Sequence, residues 1–218
     1  MMASADLTPR AQVKRERIHR AAQALFMQQG FEATSMDAIA VAAAVSKPTL
    51  YRYYQNKEAL FIAVLEQLAL GHLSESALLA LRDTPMDSLA TLEHALIVWA
   101  QATIENIMQP VYVGLVRLLI AELPRFPRLG SLFAQAVPQQ GGAFLKAMLE
   151  SARSHGVIVE DDLELVIRLL AGPLLTYVLG DGLFAPDGIP QPPPPERVAT
   201  LVQLVLQGIA SHGQQESP

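Results

Sequence analysis

One short run, "VSKPTLYRYYQNKEALF" (residues 45–61), concentrates side chains that could do chemistry. It supplies two lysine ammonium groups, an arginine guanidinium, three tyrosine hydroxyls and the hydroxyls of Ser46 and Thr49. These groups donate hydrogen bonds to phosphate oxygens and to base edges, which are acceptors that double-stranded DNA presents. The run therefore predicts a surface that contacts nucleic acid.

Two helices are predicted before this run. The first covers about residues 8–29, and Gly30 supplies its C-terminal stop. The second covers about residues 36–43, and either Thr34 or Ser35 can cap its N-terminus. The apolar positions of the first helix fall on one face, at Ile18, Ala21, Ala22, Leu25 and Phe26.

The run itself begins a third helix. Ser46 is its predicted N-cap, Pro48 is tolerated in its first turn because that position needs no helical N–H, and it ends near Tyr53. The second helix is rich in alanine, which lets two short helices approach closely at a steep angle. Two short helices joined by a tight turn predict a helix-turn-helix.

In a helix-turn-helix the N-terminal end of the second short helix enters the major groove. Lys47, Pro48 and Thr49 lie there, where an ammonium can donate to guanine and a threonine can contact a base. Tyr51 can donate to phosphate, and Lys57 opens the next helix, where its ammonium and the terminal amides can face a phosphate. The predicted DNA-binding residues are Thr34, Ser35, Ser46, Lys47, Pro48, Thr49, Tyr51, Arg52, Tyr53 and Lys57.

The remainder of the chain also predicts helices, because Ala and Leu dominate it and period-2 alternation is scarce. The predicted fold is all-α, with a three-helix DNA-binding domain over residues 8–56, a helical domain over 57–212 and a disordered tail over 213–218. The Pro-rich residues 185–195 predict a stiff, extended loop. Beyond residue 56 the predicted helices cover residues 57–82, 87–108, 111–122, 128–136, 139–155, 161–181 and 195–211.

The composition fits a folded protein with a sizeable core, since 51% of the 218 residues are hydrophobic. The absence of cysteine excludes disulfides and zinc–thiolate sites, and it fits a reducing cytoplasm. Residues 1–60 carry 8 Lys and Arg against 5 Asp and Glu, whereas the rest carry 8 against 16. A basic N-terminal segment on an acidic body fits a phosphate-facing head with a separate core.

Two apolar stretches raise the question of a membrane span. Residues 111–123 are too short to cross a bilayer and contain Arg117, and residues 163–184 contain Arg168 and Asp181. Both are therefore expected to be buried helices. The N-terminus carries charges where a signal peptide needs an apolar core, so we expect a cytoplasmic protein that does not associate with membranes.

The segment from residue 26 to 61 resembles the DNA-binding domain of the TetR (tetracycline repressor) family of bacterial transcriptional regulators. The family pattern commonly has Gly or Ser at the position of Pro48 and Phe at that of Tyr54, and the first departure leaves the operator sequence open. Residues 117–127, "RLLIAELPRFP", are similar to a segment found in one subgroup of these regulators. The matching residues are Phe26, Gly30, Phe31, Thr34, Ile39, Ala40, Ala43, Val45, Ser46, Thr49, Leu50, Tyr51, Tyr53, Tyr54, Lys57 and Leu60.

The resemblance implies a homodimer, built through the last two long helices, that binds a near-palindromic operator. It also implies a small-molecule effector in the C-terminal domain, which would act as a ligand-binding and dimerisation bundle and release a repressor from DNA. Residues of these types are more often plain core, and the candidate ligand-binding residues are Trp99, Met108, Tyr112, Phe133, Phe144, Met148 and Tyr177. Polar neighbours that could orient a ligand are Gln101, Glu105, Asn106 and Gln140, and few charges lie near, so an apolar or amphipathic effector is expected.

Other classes of function find little support. The sequence has no Ser-His-Asp or Cys-His arrangement and no Gly-rich phosphate loop, so we expect no enzyme and no cofactor. No two of its five histidines have the i, i+4 spacing of a helical metal site, so we expect no metal, and all five histidines are expected at the surface or at helix caps. The alternatives left open are an activator, a regulator controlled by a partner protein, and a helical small-molecule-binding protein with no role on DNA.

Overall fold

The computed structural model describes residues 9–70, 84–158 and 160–210, and this part of the chain is helical with no β-strand. The described residues form two compact units, one from residues 9–67 and 114–137, the other from residues 68–70, 84–113, 138–158 and 160–210. The predicted all-α fold is confirmed. The elements are α1 (Pro9–Ala33), α2 (Met36–Ala42), α3 (Lys47–Tyr53), α4 (Lys57–Leu70), α5 (Leu89–Ile107), α6 (Pro110–Glu122), α7 (Arg128–Ser154), α8 (Leu163–Tyr177), a π-helix (Val178–Leu183) and α9 (Pro195–Ala210).

The core of the first unit is a cluster of four phenylalanine rings. Phe61 of α4 lies against Phe26 and Phe31 of α1, with ring centroids 4.9 and 5.2 Å apart, and Phe126 lies 5.2 Å from Phe31. Phe26, Phe31 and Phe61 are almost completely buried. Edge-to-face aromatic contacts add stability beyond the burial of apolar area, so this cluster fixes α4 against α1.

The predicted stop at Gly30 is confirmed, although helical geometry resumes for a few residues after it. Gly30 has φ +83° and ψ 172°, a left-handed φ that favours glycine, and the helix assignment ends at Ala33. The change of direction brings Phe31 into the aromatic cluster. The apolar face predicted for the first helix is also present, since Ile18, Ala22 and Phe26 are buried.

The second unit is built around α5, which packs along α9 and contributes Leu92, Leu96 and Trp99 to one apolar core. Polar bonds support the packing at the edges: Gln101 donates to the carbonyl of Pro195 at 3.0 Å, and Gln203 donates to Glu93 at 2.8 Å. From α8 the core receives Leu163, Val166, Leu170 and Leu174. From α9 it receives Val198, Val202, Leu206 and Ile209.

Two predicted helix boundaries are wrong. Residues 128–136 and 139–155 were expected to form separate helices, but α7 continues from Arg128 to Ser154 through Pro138. A proline inside a helix frees the carbonyl four residues earlier. That residue is Ala134, which is exposed, so water can satisfy its carbonyl. Similarly, α8 continues through Pro173.

The helix predicted over residues 161–181 ends differently. It is an α-helix from Leu163 to Tyr177 and then a π-helix, in which Phe184 donates to the carbonyl of Leu179 at 2.9 Å. Gly182 permits a close approach there, because a Cβ on this residue would lie 3.0 Å from the sulfur of Met108. Residues 71–82 of the predicted fourth helix and the predicted tail lie outside the described residues.

By length and composition, the helix Leu163–Leu183 could cross a membrane, and so could α5 and α6 together, which are bent by 66° at their junction. Core helices of other proteins meet the same criterion. Here Val166, Leu170 and Leu174 pack into the core of the second unit. Only 22% of this apolar window is buried, however, and Leu165 and Leu169 on it are about half exposed, so the expectation of a buried helix is met on one face only.

Candidate nucleic-acid interface

A tight turn joins α2 to α3 and forms the predicted helix-turn-helix. Ser35, rather than Thr34, caps α2 and accepts from the amide of Ala38 at 3.1 Å. After α2, Ala44 has φ +50°, and the amide of Val45 donates to the carbonyl of Ala40 at 3.0 Å. The small methyl side chains of this segment suit such a turn, which sends the chain sharply from one helix to the next.

Ser46 caps α3 as the sequence predicts. Its hydroxyl accepts from the amide of Thr49 at 3.3 Å and lies 2.8 Å from the Thr49 hydroxyl. Leu50 is fully buried and anchors the helix on the core, while Pro48 occupies the first turn. The opposite side of α3 is thereby turned to solvent.

The exposed side of α3 carries most of the predicted DNA-binding residues. Tyr51 is 49% exposed, and Arg52 lies over the ring of Tyr53 with its guanidinium carbon 5.6 Å from the ring centroid. Together with the ammonium of Lys47, these side chains place hydroxyl and guanidinium donors on a helix of seven residues. The exposed members of the predicted set are Ser35, Ser46, Lys47, Pro48, Tyr51 and Arg52, and the half-buried ones are Thr49, Tyr53 and Lys57.

Two of the predicted contact residues are engaged within the protein. Thr34 is 1% exposed, and its hydroxyl donates to the carbonyl of Gly30 at 2.7 Å, so it ties α2 to the end of α1. Lys57 donates to the carbonyls of Phe31 and Glu32 at 2.6 and 3.0 Å, and its ammonium lies 4.5 Å from the Phe31 ring centroid. Burial lowers the pKa of Lys57.

The carbonyls that Lys57 binds belong to the last turn of α1, where an ammonium is favourable because the carbonyls have no helical partner. The sequence places Lys57 at the start of α4, but it does not show which backbone folds over that position. Thr34 is therefore buried and bonded within the first unit, and Lys57 has a structural role at the end of α1.

Lys47 is exposed but paired. Its ammonium lies 2.6 Å from a carboxylate oxygen of Asp37 on α2, and both side chains are more than half exposed. An exposed pair of this kind contributes about 0.2–1 kcal/mol, so a stronger acceptor can displace Asp37 at small cost.

His19 is a residue that sequence reasoning missed, and the expectation that all histidines lie at the surface is wrong for it. His19 is 3% exposed, and its ring bonds to the Gln67 side chain through Nδ1 and to the Tyr54 hydroxyl through Nε2. The available signal was spacing, since His19 lies three and seven residues before the buried Ala22 and Phe26.

The contact with His19 also accounts for Tyr54, where the family pattern commonly has Phe. Tyr54 caps the C-terminal end of α3, and Gln67 belongs to α4, so the three side chains join α1, α3 and α4 within the first unit. Burial lowers the pKa of His19 to about 4, and burial also raises the pKa of Tyr54. Both groups are therefore neutral at pH 7.

The predicted ligand-binding residues divide between the two units. Trp99, Met108 and Met148 lie in the core of the second unit, with Phe144 and Tyr177 packed against it. Tyr112 is buried near the start of α6. Phe133 is half-buried and belongs to the first unit. In the described part of the chain, no group of His, Asp and Glu side chains could hold a metal ion.

Two family models match the chain. The model of the bacterial regulatory proteins of the tetR family matches residues 18–64, which contain the helix-turn-helix and its supports. The model of the C-terminal domain of AefR-like transcriptional repressors matches residues 94–207, which is more than half of the chain. Together they cover most of both units.

Similar proteins agree with these matches. The transcriptional regulator UidR of Escherichia coli K12 is 40% identical over 62 residues, which are 28% of this chain and 32% of UidR. The chain thus spans about a third of that relative. The structure of the flavonoid-responsive regulator FrrA is 33% identical, covers 93% of this chain and 97% of its own, and has a TM-score of 0.62.

A further structure is that of Thermus thermophilus FadR, a TetR-family transcriptional repressor in complex with lauroyl-CoA. It is 28% identical, covers 94% of this chain and 97% of its own, and has a TM-score of 0.56. These relatives are transcriptional regulators and not enzymes. The helix-turn-helix with its exposed donors, the two family models and these likenesses lead to one conclusion: the chain belongs to the TetR family of DNA-binding transcriptional regulators.

Proposed function

We propose that this regulator is a cytoplasmic homodimeric repressor, not bound to membranes, that leaves a near-palindromic operator when a small apolar or amphipathic effector binds its second unit. The observation that carries the DNA-binding part is the row of exposed donors on α3, held in place by the buried Leu50. Base contacts would come from Lys47, Pro48 and Thr49, and phosphate contacts from Ser35, Ser46, Tyr51, Arg52 and Tyr53.

Release requires the effector site and the DNA-binding head to be coupled. Helix α4 supports this coupling, because it contributes residues to both units, with Gln67 in the first and Leu68 in the second. The effector must bind the released conformation better than the DNA-bound one, and the difference in affinity sets how far it can shift the equilibrium. A change in the distance between the two DNA-binding domains of a dimer would then prevent both α3 helices from entering successive major grooves.

The proposed function is tested by a gel-shift titration at stated salt against DNA from upstream of the protein's own gene, with unrelated DNA as competitor. We expect specific retardation that an effector reverses. Retardation no stronger than with the competitor DNA would contradict the operator, and retardation that no effector class reverses would contradict release by a ligand.

We expect Asp37→Ala to raise affinity for operator and unrelated DNA by about two- to fivefold, because it frees Lys47 and removes a negative charge from the interface. Lys47→Ala should lower operator affinity and change the preferred base at one position of each half-site. Binding curves at several salt concentrations, with operators substituted at single positions, measure both effects. Unchanged affinity in both variants would remove Lys47 from the contact set.

The dimer is supported by an apolar groove between α8 and α9. Leu165, Leu169 and Leu204 line it and are 46%, 47% and 60% exposed. Contiguous exposed leucines of this kind usually mark an association surface. A second copy of the same face would bury them in a closed, two-fold arrangement of four helices.

Leu169→Lys is expected to convert the dimer to monomer and to weaken operator binding, because a buried ammonium without a partner opposes association. Analytical ultracentrifugation measures the change. Val13→Lys is the matched control, since Val13 is also exposed, at 55%, but lies on α1 in the first unit. A Leu169→Lys protein that still sediments as a dimer would place the interface elsewhere.

A further inference from the structure

One side chain that is buried among the described residues of the second unit carries an amide group. It is Asn106 on α5, which is 1% exposed and lies just before the bend into α6. Its amide nitrogen donates to the carbonyl of Ala69 at 3.4 Å, a long hydrogen bond, while its Oδ1 is buried without any hydrogen-bond partner. An unpaired buried acceptor is unfavourable and rare in folded proteins, so its presence in this unit calls for an explanation.

Buried side chains with large apolar surfaces lie close to Asn106 along the chain. Trp99 lies seven residues earlier, on the same face of α5, and both side chains are buried. Met108 follows at the end of α5 and belongs to the same core. Tyr112 is buried beyond the bend, where burial raises the pKa of its hydroxyl and so keeps it neutral. Apart from the hydroxyl of Tyr112 and the indole N–H of Trp99, the side chains that accompany the unpaired Oδ1 here are apolar.

We propose that Asn106 is the polar anchor of the effector site, and that its Oδ1 accepts a hydrogen bond from a hydroxyl or N–H of an uncharged, largely apolar effector. The inference rests on the proposed function, because it assigns the chemistry of that effector. It selects phenols and alcohols over carboxylic acids and coenzyme A thioesters.

The preference for an uncharged effector follows from the partners available. A carboxylate or phosphate is an acceptor, as Oδ1 is, so the two cannot form a hydrogen bond. Among the described residues of the second unit there is also no buried cation that could neutralise the negative charge. Burying an unpaired charge is strongly unfavourable, whereas one new hydrogen bond to Oδ1 removes an existing penalty. Lauroyl-CoA, the ligand in the structure of Thermus thermophilus FadR, is of the class this site would reject.

Asn106 also connects the effector to the rest of the molecule. Its Nδ2 donates to Ala69 near the end of α4, the helix that begins at Lys57 directly after the helix-turn-helix. Asn106 would therefore bind the effector through Oδ1 while it binds the backbone of α4 through Nδ2. A movement of Asn106 toward the effector changes its bond to α4, which is the coupling that a released repressor needs.

The test is isothermal titration calorimetry of the full-length protein without DNA, using pairs of compounds that differ in one polar group. The pairs are 7-hydroxyflavone with flavone and 1-dodecanol with dodecanoic acid, and lauroyl-CoA is added as a thioester. Variants are Asn106→Leu, which is similar in size but has no acceptor, and Gln109→Leu. Gln109 is the matched control because it is an exposed amide three residues further on.

We expect at least one hydroxyl compound to bind the wild type about tenfold more tightly than its partner, the effect of one buried hydrogen bond. The preference should fall below about threefold in Asn106→Leu and persist in Gln109→Leu. Asn106→Leu should melt close to the wild type without ligand, because it removes both an unpaired buried oxygen and the long hydrogen bond to the Ala69 carbonyl. If Asn106→Leu fails to fold, the preference of the wild type for the hydroxyl compound in each pair still tests the assignment.

Equal binding within both pairs, tighter binding of dodecanoic acid or lauroyl-CoA, an unchanged preference in Asn106→Leu, or no binding by any compound would overturn the assignment. Operator release is measured separately by gel shift. A hydroxyl compound that binds through Asn106 without releasing DNA would contradict the proposed repressor mechanism but would support Asn106 as the anchor of the ligand. Release by lauroyl-CoA that Asn106→Leu does not affect would support the repressor mechanism and contradict the assignment of Asn106.

Discussion

Phe61→Ala is expected to lower the free energy of unfolding of the first unit by about 3–5 kcal/mol, the range for removing a buried phenylalanine. Phe61 is fully buried, and its ring contacts Phe26 at 4.9 Å and Phe31 at 5.2 Å between centroids. The substitution leaves a cavity between α1 and α4 and removes two edge-to-face contacts. Since a domain is stable by only about 5–15 kcal/mol, DNA binding should fail well below the melting temperature of the wild type.

Urea denaturation followed by the circular dichroism of the full-length protein measures this loss. The matched control is Phe184→Ala, the same substitution at a ring that is 74% exposed, which should change stability by less than about 0.5 kcal/mol. Equal effects of the two substitutions would mean that the aromatic cluster does not hold α4 against α1. The support for the helix-turn-helix would then have to come from elsewhere in the first unit.

Acidification is expected to remove about 3 kcal/mol of stability through His19 alone. Burial lowers the pKa of His19 from 6.5 to about 4, so the folded protein resists taking up a proton that the unfolded chain accepts. The stabilisation is fully present above pH 6.5 and is lost progressively as the pH falls toward 4. At about 1.4 kcal/mol per pKa unit, the shift corresponds to about 3 kcal/mol.

Besides burial, two neighbouring groups act on the pKa of His19, and they act in opposite directions. Arg15 on α1 disfavours a second positive charge and so lowers the pKa of His19 further, whereas the bond to Gln67 raises it. Burial raises the pKa of the nearby Glu66, and Arg15 opposes that increase. A protonated His19 would also have to donate to Tyr54, whose hydroxyl would then have to act as the acceptor.

The measurement is urea denaturation at intervals between pH 7 and pH 4.5, comparing the wild type with His19→Gln. Glutamine does not titrate, so the difference between the two curves isolates His19 from the carboxylates that titrate below pH 5. His155→Gln, at an exposed histidine, serves as control and should follow the wild type. A His19→Gln protein with the same pH dependence as the wild type would refute the assignment.

The features that could be predicted from sequence are those set by local chemistry. Ser35 and Ser46 cap helices because a hydroxyl can accept from an amide two or three residues ahead, and Gly30 breaks a helix because it tolerates a left-handed φ. Pro48 and the small residues of the turn act over equally short distances. The periodic apolar positions of α1 then show which face must be buried.

The features that could not be predicted depend on residues far apart in the chain. The role of Lys57 follows from where the last turn of α1 lies, because the carbonyls that it binds are 26 and 25 residues away along the chain. The π-helix at Val178–Leu183 coincides with a close contact between Gly182 and Met108. No local pattern encodes these partners.

The sequence by itself determined that the chain is all-helical, that it carries a helix-turn-helix at its N-terminus, and that the exposed face of α3 bears donors for DNA. Those properties follow from capping, periodicity and turn chemistry, which act within a few residues. Only the tertiary structure decided that His19 is buried between Tyr54 and Gln67, and that Asn106 keeps an unpaired oxygen in an apolar core. Burial and pairing are set by which surfaces meet, so they appear only once the helices are packed.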